Sequence, residues 1–396
     1  MPKFYYKSTQ NDNATYIDDN DEIHTVPFQK FDLKFSFEMF KGYQQTHEDL
    51  GKFKSDMIRE NEEIKTFDYD FLSKWDNRKA IMLYFRKKST ISKNRFTFEK
   101  INETEYRYIE ACPNGGLTYF DKKYANIETQ CYGYDCKMYY PNLLCDEMLR
   151  LPTKAGIEKK ITEIPTEFPY GIYKCKITCS DPNILKLFAF STKNTYTSIS
   201  LNNALFLKNK KKYDIHIELD LESEYNALVY EETIGSNAIF KSWLTSVKRM
   251  REKYPKNKLI KHMSSSLWGG IIQFNRKTVS SFAEVDMNDY ILDDEVMYPD
   301  RDVIYLLPKE QPYKDEFARL KPFLVSLSRY HICNLIIKHK VIENIIRIQT
   351  DGIVLNKEVV WKGDYAPIFE DKSSGLITWY HVNLNSRIKA ERDNSI

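Results

Sequence analysis

The sequence predicts an α+β fold, and three observations carry that prediction. Short β-branched and aromatic runs are closed by tight-turn residues, most clearly near the C-terminal end. A central stretch, residues 150–235, consists mostly of such runs. Three segments, 238–252, 257–268 and 316–339, instead carry apolar residues at helical spacing. The clearest strand pair is the stretch from Glu343 to Val354. Ile345, Ile346 and Ile348 form one run, Ile353, Val354 and Leu355 a second, and Thr350-Asp351-Gly352 lies between them. This reads as a hairpin with a carboxylate at its tip. Such a carboxylate suits a metal ligand, although an ordinary Asp-Gly turn has the same sequence.

A chain of 396 residues can bury a sizeable core and is expected to hold two or three subdomains. Charged residues make up 29% and the net charge is only +3, so a uniformly basic nucleic-acid coat is excluded. No apolar run is long enough for a transmembrane helix, and Met1-Pro2-Lys3-Phe4-Tyr5 lacks the apolar core of a signal peptide. Seven cysteines show no disulfide-framework spacing, and a reducing compartment is expected. Neither Cys131, Cys136 and Cys145 nor Cys175 and Cys179 have the paired Cys-x-x-Cys form of a zinc site, so buried free thiols are expected.

Along the chain, residues 1–25 read as a polar arm ending in the acidic run Asp18-Asp19-Asn20-Asp21-Glu22. Phe31, Leu33, Phe35 and Phe37 alternate like a strand, His47 to Glu63 reads as a charged helix, and Ala80 to Phe85 as a strand. Pro113-Asn114-Gly115-Gly116 is a strong turn, and adjacent glycines let another backbone approach closely. Tyr132 to Asp135 reads as the end of a strand. A helix follows it, with Pro141 in its first turn and Leu143, Leu144, Met148 and Leu149 on its apolar face. Asp135 therefore stands at a strand's C-terminal end, a usual place for a ligand-binding carboxylate. Lys208 to Lys212 reads as an exposed hairpin tip. Phe240, Trp243, Leu244, Val247 and Met250 line one helix, and a second runs from Asn257 to Trp268 and stops at Gly269-Gly270. Lys261, Ser265 and Trp268 share one face of that helix. Glu284 to Asp302 reads as an acidic connector and Val303 to Leu307 as a strand. Glu316 to His339 is a long helix with Phe317, Leu320, Phe323, Leu324, Leu327 and Ile332 on its buried face. The tail holds one strand-like run, Leu376 to Tyr380.

Two separated carboxylates and a helical lysine are the minimum set for two-metal phosphoryl transfer. The carboxylates hold the metals and the lysine neutralises a triphosphate. In order and spacing these pieces resemble family B DNA polymerases, nearest the protein-primed viral and plasmid branch. The first family motif, D-x-x-S-L-Y-P, meets Asp135-Cys136-Lys137-Met138-Tyr139-Tyr140-Pro141. The second, K-x-x-x-N-S-x-Y-G, meets Lys261-His262-Met263-Ser264-Ser265-Ser266-Leu267-Trp268-Gly269. The third, D-T-D, meets Gln349-Thr350-Asp351. Pro113 to Gly116 resembles the Y-x-G-G element of that branch, and Ala318 to Phe323 the helix before the third motif.

The resemblance implies a polymerase palm, an antiparallel sheet with packed helices, together with helical fingers, a β-rich insertion and a reduced thumb. It divides the chain into an N-terminal exonuclease remnant (1–105), palm (106–150), insertion (151–235), fingers (236–275), palm with the catalytic hairpin (276–360) and reduced thumb (361–396). It implies template-directed DNA synthesis from dNTPs on a template-primer, with two Mg²⁺ or Mn²⁺ ions held by the catalytic Asp135 and Asp351. Tyr140, Lys261, Ser265 and Trp268 would contact the nucleotide, and Gly115, Gly116, Thr350 and Lys372 the DNA. A priming protein is a further implied partner, a membrane is not, and a viral or mobile-element genome replicated inside a host is the implied setting. Ser265 and Trp268 replace the family's Asn and Tyr, which bears on nucleotide selectivity. Gln349 replaces the less essential carboxylate. Residues 1–105 are too few for a complete proofreading domain and show no D-x-E in a strand, the nearest approach being Asp68 and Asp70. The alternative is a catalytically impaired polymerase-like subunit that binds nucleic acid or acts as a scaffold.

Overall fold

The structure is a computed structural model of the chain. It describes residues 3–7, 13–31, 36–39, 46–74, 76–89, 96–298, 301–361, 369–371, 374–379 and 390–391. In chain order the elements begin with β1 (Lys3–Lys7), β2 (Asn13–Ile17), β3 (Ile23–Pro27), β4 (Ser36–Glu38), α1 (His47–Lys65), α2 (Asn77–Lys88) and α3 (Glu103–Ala111). Next come β5 (Thr118–Phe120), β6 (Glu128–Cys136), α4 (Tyr139–Leu143), β7 (Arg150–Pro152), β8 (Ile157–Lys159), β9 (Gly171–Cys179) and β10 (Thr195–Thr197). They continue with α5 (Ser198–Lys211), β11 (Ile215–Leu219), β12 (Ala227–Val229), β13 (Thr233–Gly235), α6 (Asn237–Lys253), α7 (Lys258–Ile271), β14 (Lys277–Val279), β15 (Tyr290–Tyr298) and β16 (Arg301–Pro308). The last are α8 (Leu320–His339), β17 (Ile345–Gln349), β18 (Gly352–Leu355), β19 (Phe369–Asp371), β20 (Gly375–Trp379) and β21 (Ala390–Glu391). They form two compact units. One joins residues 1–96 to 238–271, and the other joins 97–237 to 272–396.

In the first unit the N-terminal segment is a sheet of order β3-β2-β1-β4, not a loose arm. β1 runs antiparallel to β2 and parallel to β4. Phe4 and Phe37 from those strands are fully buried, and that burial holds the polar segment in place. The acidic run makes the β2–β3 turn. The Asp18 carboxylate accepts from the Asn20 and Glu22 backbone N–H groups at 2.8 and 2.9 Å, and Asp21 pairs with Lys54 at 2.7 Å. Residues 77–88 are helical where a strand was expected over 80–85. Asp76 caps α2 by accepting from the Lys79 N–H at 2.8 Å, and Ala80, Ile81, Tyr84 and Phe85 form its buried stripe. A six-residue window is too short to show that period. Asp68 and Asp70 lie after α1, outside any strand, and Asp70 accepts from the Asn61 amide at 2.9 Å.

The helices α6 and α7 pack on α1 and α2. Phe240 stacks on Phe85 with ring centroids 5.0 Å apart, and the Tyr84 and Ser246 hydroxyls lie 2.6 Å apart. The N-terminus of α7 is capped from α1: the Leu259 N–H donates to the Glu60 carboxylate at 2.8 Å. Asn257 adds a second cap to the Ile260 N–H at 2.9 Å while its amide donates to the Glu60 carbonyl at 2.9 Å. The helix α7 does not stop at Gly269-Gly270 but runs through both to Ile271. Gly270 is where α2 comes closest, since a Cβ there would meet Met82 Sδ at 2.6 Å.

The second unit is built on the sheet β21-β20-β6-β18-β17-β5, with β19 also pairing β6. One of its faces buries Ile348, Ile353 and Leu355. α8 is buried nearly all round, which exceeds the single face expected, and packs against α4, α5, β7 and β10. Between them lies a β-rich region, with strands in the order β10-β9-β12-β8 and β11 also on β9. It also contains α5, which the sequence reading missed. Ser198, Ser200 and Asn203 are buried polar residues on that helix, and they hide its apolar period. Lys208 to Lys211 are therefore the last turn of a helix rather than a hairpin tip, where their charge suits the helix dipole, and Lys212 is its left-handed cap. The connector over 284–302 contains the whole of β15, an outer strand of the β14-β16-β15 sheet. No helix among the described residues is long and apolar enough to cross a membrane.

Candidate active site

The hairpin expected from the sequence is β17–β18, and β6 lies on its other flank. Gln349 pairs with Gly352, and Gly352 in turn pairs with Asp135. The Cys136 N–H donates to the Asp351 carbonyl at 2.9 Å, so Asp135, near the end of β6, and Asp351, in the turn just before β18, stand at the same end of the sheet. A Cβ placed on Gly352 would lie 3.5 Å from Asp135 Oδ1, so the Asp135 carboxylate lies directly against the hairpin. Both aspartates line one open groove of about 390 Å³, together with Arg347, Gln349 and Thr350. Gly133, Gly352 and Val354 also line it.

The tip of this hairpin is strained and held. Thr350 has φ +59, a left-handed conformation that a β-branched residue rarely adopts. Its N–H donates to the Leu117 carbonyl at 2.9 Å. Gly116 packs on it so closely that a Cβ there would stand 2.8 Å from Thr350 Cα and 2.7 Å from its Cγ2. Gly115, at φ +88, makes the turn. Its carbonyl, with that of Pro113, accepts from the Arg329 guanidinium of α8. Arg329 is buried, and burial pulls its pKa down to about 10. The Gly-Gly element is thus a wedge between α8 and the hairpin tip. Gly116→Ala is expected to cost about 1–3 kcal/mol, the usual range for overpacking. Because Thr350 must shift, any activity at Asp351 should fall by more than the loss of folded protein explains. Urea midpoints beside an activity assay check this.

Burial raises the Asp351 carboxyl above the ordinary aspartate range, and no cation among the described residues offsets it. A half-buried, unpaired carboxylate with a second carboxylate on the neighbouring strand is a donor set that suits a hard divalent cation. Burial also pushes the Cys136 thiol up to about 12, with Asp351 adding to the effect. α4 follows β6 directly and carries Tyr139 and Tyr140. The Tyr139 hydroxyl donates to the Ser328 carbonyl at 2.6 Å, and Tyr140 is half-buried beside it. Burial raises the Tyr140 phenol first, and the Asp351 charge raises it further. α4 ends at Leu143, one turn long, so Met148 lies beyond it and is exposed while Leu143, Leu144 and Leu149 are buried.

Asp135, Asp351, Tyr140, Gly115, Gly116 and Thr350 are therefore all in the second unit, around one hairpin. Lys261, Ser265 and Trp268 are in the first unit, on α7. Lys261 and Ser265 are exposed and Trp268 is half-exposed, one turn apart in succession, so the expected shared face exists. The Ser265 hydroxyl donates to the Lys261 carbonyl at 3.1 Å. Burial depresses the neighbouring His262 to about 4, which keeps it neutral. Lys372 lies outside the described residues. Two residues of this site were not singled out from the sequence, Arg329 and Arg347. Arg347 is a charged residue inside the apolar run Ile345-Ile346-Arg347-Ile348, and that mismatch was the available signal, whereas Arg329 follows Ser326-Leu327-Ser328 and carries no such local signal.

No family model and no curated protein matches the chain. Solved structures do match in fold. The chain is similar to Phi29 DNA polymerase complexed with single-stranded DNA, with a TM-score of 0.56 at 14% identity over 88% of this chain. The orthorhombic crystal form of Phi29 DNA polymerase gives 0.53 at 13% identity, also over 88%. Phi29 DNA polymerase complexed with primer-template DNA, the post-translocation binary complex, gives 0.51 at 14% identity over 79%. The chain spans 65%, 65% and 52% of those three chains, in that order. The shared fold is that of a DNA polymerase.

Proposed function

We propose that this protein is a DNA-directed DNA polymerase of the protein-primed family B type. In this reading Asp135 and Asp351 hold two divalent ions, Mg²⁺ or Mn²⁺, for nucleotidyl transfer. The observation that carries the reading is the register of β6 against the hairpin. It sets Asp135 of β6 level with the turn that carries Asp351, beside an open groove, with Asp351 unpaired by any cation among the described residues. A chance resemblance in the motifs has no reason to bring Asp135 beside Asp351, which are 216 positions apart on subtracting 135 from 351.

The bound ions supply the charge that activates the attacking 3′-hydroxyl and stabilises the leaving pyrophosphate. The chain's own residues do the positioning. Asp135 holds its carboxylate from β6, and Asp351 from the turn that enters the paired strand β18. Thr350, wedged by Gly116, sets the angle of the hairpin tip. Tyr140 presents a ring beside the carboxylates, where the sugar of an incoming nucleotide would lie. On α7, Lys261 offers an exposed ammonium to a triphosphate. DNA template-primer and dNTPs are the partners this reading requires, a protein primer is compatible with it, and replication of a viral or mobile-element genome is its setting.

Primer extension tests the proposal. The purified chain should extend a labelled primer on a template with Mg²⁺ or Mn²⁺ and not in EDTA. Folded protein that extends no primer with either metal and binds no dNTP would exclude it. DNA binding without extension would instead establish the scaffold alternative, which the Ser265 and Trp268 departures favour.

A further inference from the structure

Arg347 lies in β17 on the same face as Asp135. Across the sheet, Arg347 pairs with Val354 and Val354 with Gly133. Two residues nearer the tip, Gln349 pairs with Gly352 and Gly352 with Asp135. Alternate residues of a strand share a face, so the Arg347 backbone position stands one row back from that of Asp135, roughly 7 Å along the strand direction. It lines the same groove. Its charged carbon lies 5.5 Å from the centre of the Trp379 ring. No described carboxylate pairs with it and no described carbonyl accepts from it, although it is only half-exposed and burial lowers its pKa.

A guanidinium carries five donors, and removing it from water without acceptors is costly. A guanidinium stacked over an aromatic ring keeps its in-plane N–H donors available to other groups. The occupant that suits it is a tetrahedral anion with several acceptor oxygens lying one row behind the two carboxylates. We propose that Arg347 is a phosphate-binding residue of this groove, taking a phosphodiester of the nucleic-acid strand whose end reaches Asp135 and Asp351. This rests on the polymerase reading for the identity of the strand. The row geometry, and donors that no described residue takes up, stand without it. Gly133 and Gly352 line the groove without side chains and leave room for a strand there.

The test compares the wild-type chain with Arg347→Met and Arg347→Lys, using a fluorescent primer-template across a salt series and dNTP titrations in primer extension. Met keeps an apolar stem on Trp379, and thermal melting checks that each variant folds. The expected result for Arg347→Met is binding at least about tenfold weaker at low salt. Its salt dependence should be shallower by roughly 0.7–0.9 in slope, the loss of one phosphate contact, with KM for dNTP unchanged. Arg347→Lys should restore part of both. A raised KM for dNTP with DNA binding unchanged would assign the same phosphate chemistry to the nucleotide's triphosphate instead of the strand. Affinity, salt slope and KM all unchanged in a folded Arg347→Met chain would overturn the inference while leaving polymerase activity standing. A wild-type chain that neither binds nor extends primer-template would overturn both.

Discussion

Asp351→Asn is expected to abolish primer extension while leaving the fold at least as stable. The loss should be roughly a thousandfold or more. A catalytic metal supplies several kcal/mol of charge stabilisation, and about 1.4 kcal/mol is tenfold in rate. The stability half of the prediction follows from burial. Asp351 is half-buried with no cation beside it among the described residues, and its carboxyl is raised in the folded state. A carboxyl that holds its proton more tightly folded than unfolded opposes folding at pH values above its folded pKa. The penalty fades as pH falls through that pKa. A neutral amide should therefore melt no lower than the wild type at neutral pH, and any advantage should vanish in acid. Melting curves at two pH values, beside an extension assay, check both halves. Asp135→Asn should lose extension in the same way. Extension surviving in either variant would remove that residue from the site.

Arg319→Met should cost about 3–5 kcal/mol of stability, the usual price of leaving a buried charge unpaired. Arg319 and Glu105 are both at most 1% exposed, and the guanidinium makes two bonds to the carboxylate, at 2.8 and 2.7 Å. Two more bonds reach the Glu99 and Lys100 carbonyls, at 2.6 and 3.1 Å. This clamp ties residues 99–105 to the start of α8. Further along α8, Lys321 pairs with Glu110 of α3, and Arg329 holds the Gly-Gly turn. The three basic residues form one spine from α3 to the hairpin tip. Replacing Glu105 and Arg319 together by Met should recover much of the loss, because no charge is then left stranded. Urea denaturation of the two single variants and the double gives the coupling directly. A single-variant cost below about 1 kcal/mol would show that the pair is not buried as described.

The hairpin, α6, α7 and α8 were legible in the sequence because their signals are local. Asp351-Gly352 between β-branched runs marks the turn, and Phe240, Trp243, Leu244, Val247 and Met250 fall at helical spacing. Asp135 was legible as the end of a strand and as the carboxylate of the first motif. Its place beside Gly352 depends on register, which two separated strands do not announce. The N-terminal sheet was read as a polar arm because its burial comes from partners well outside any short window, such as β4 against β1. The capping of α7 by Glu60 joins residues 199 positions apart, so nothing near Lys261 in the sequence points to α1. The helix α5 was missed because polar residues are buried on it. The strained Thr350 was hidden too. Its position was named for its motif, whereas φ +59 and the close approach of Gly116 are properties of the fold alone.

The central claim is that Asp135 and Asp351 together hold divalent ions. The most direct test is a Mn²⁺ titration of the folded chain with primer-template and a non-hydrolysable dNTP, with bound ions counted by electron paramagnetic resonance. The account predicts two ions bound to the wild-type chain, and binding weakened or lost in both Asp135→Asn and Asp351→Asn. Mn²⁺ binding that is absent from the folded wild type, or unchanged in both variants, would contradict it.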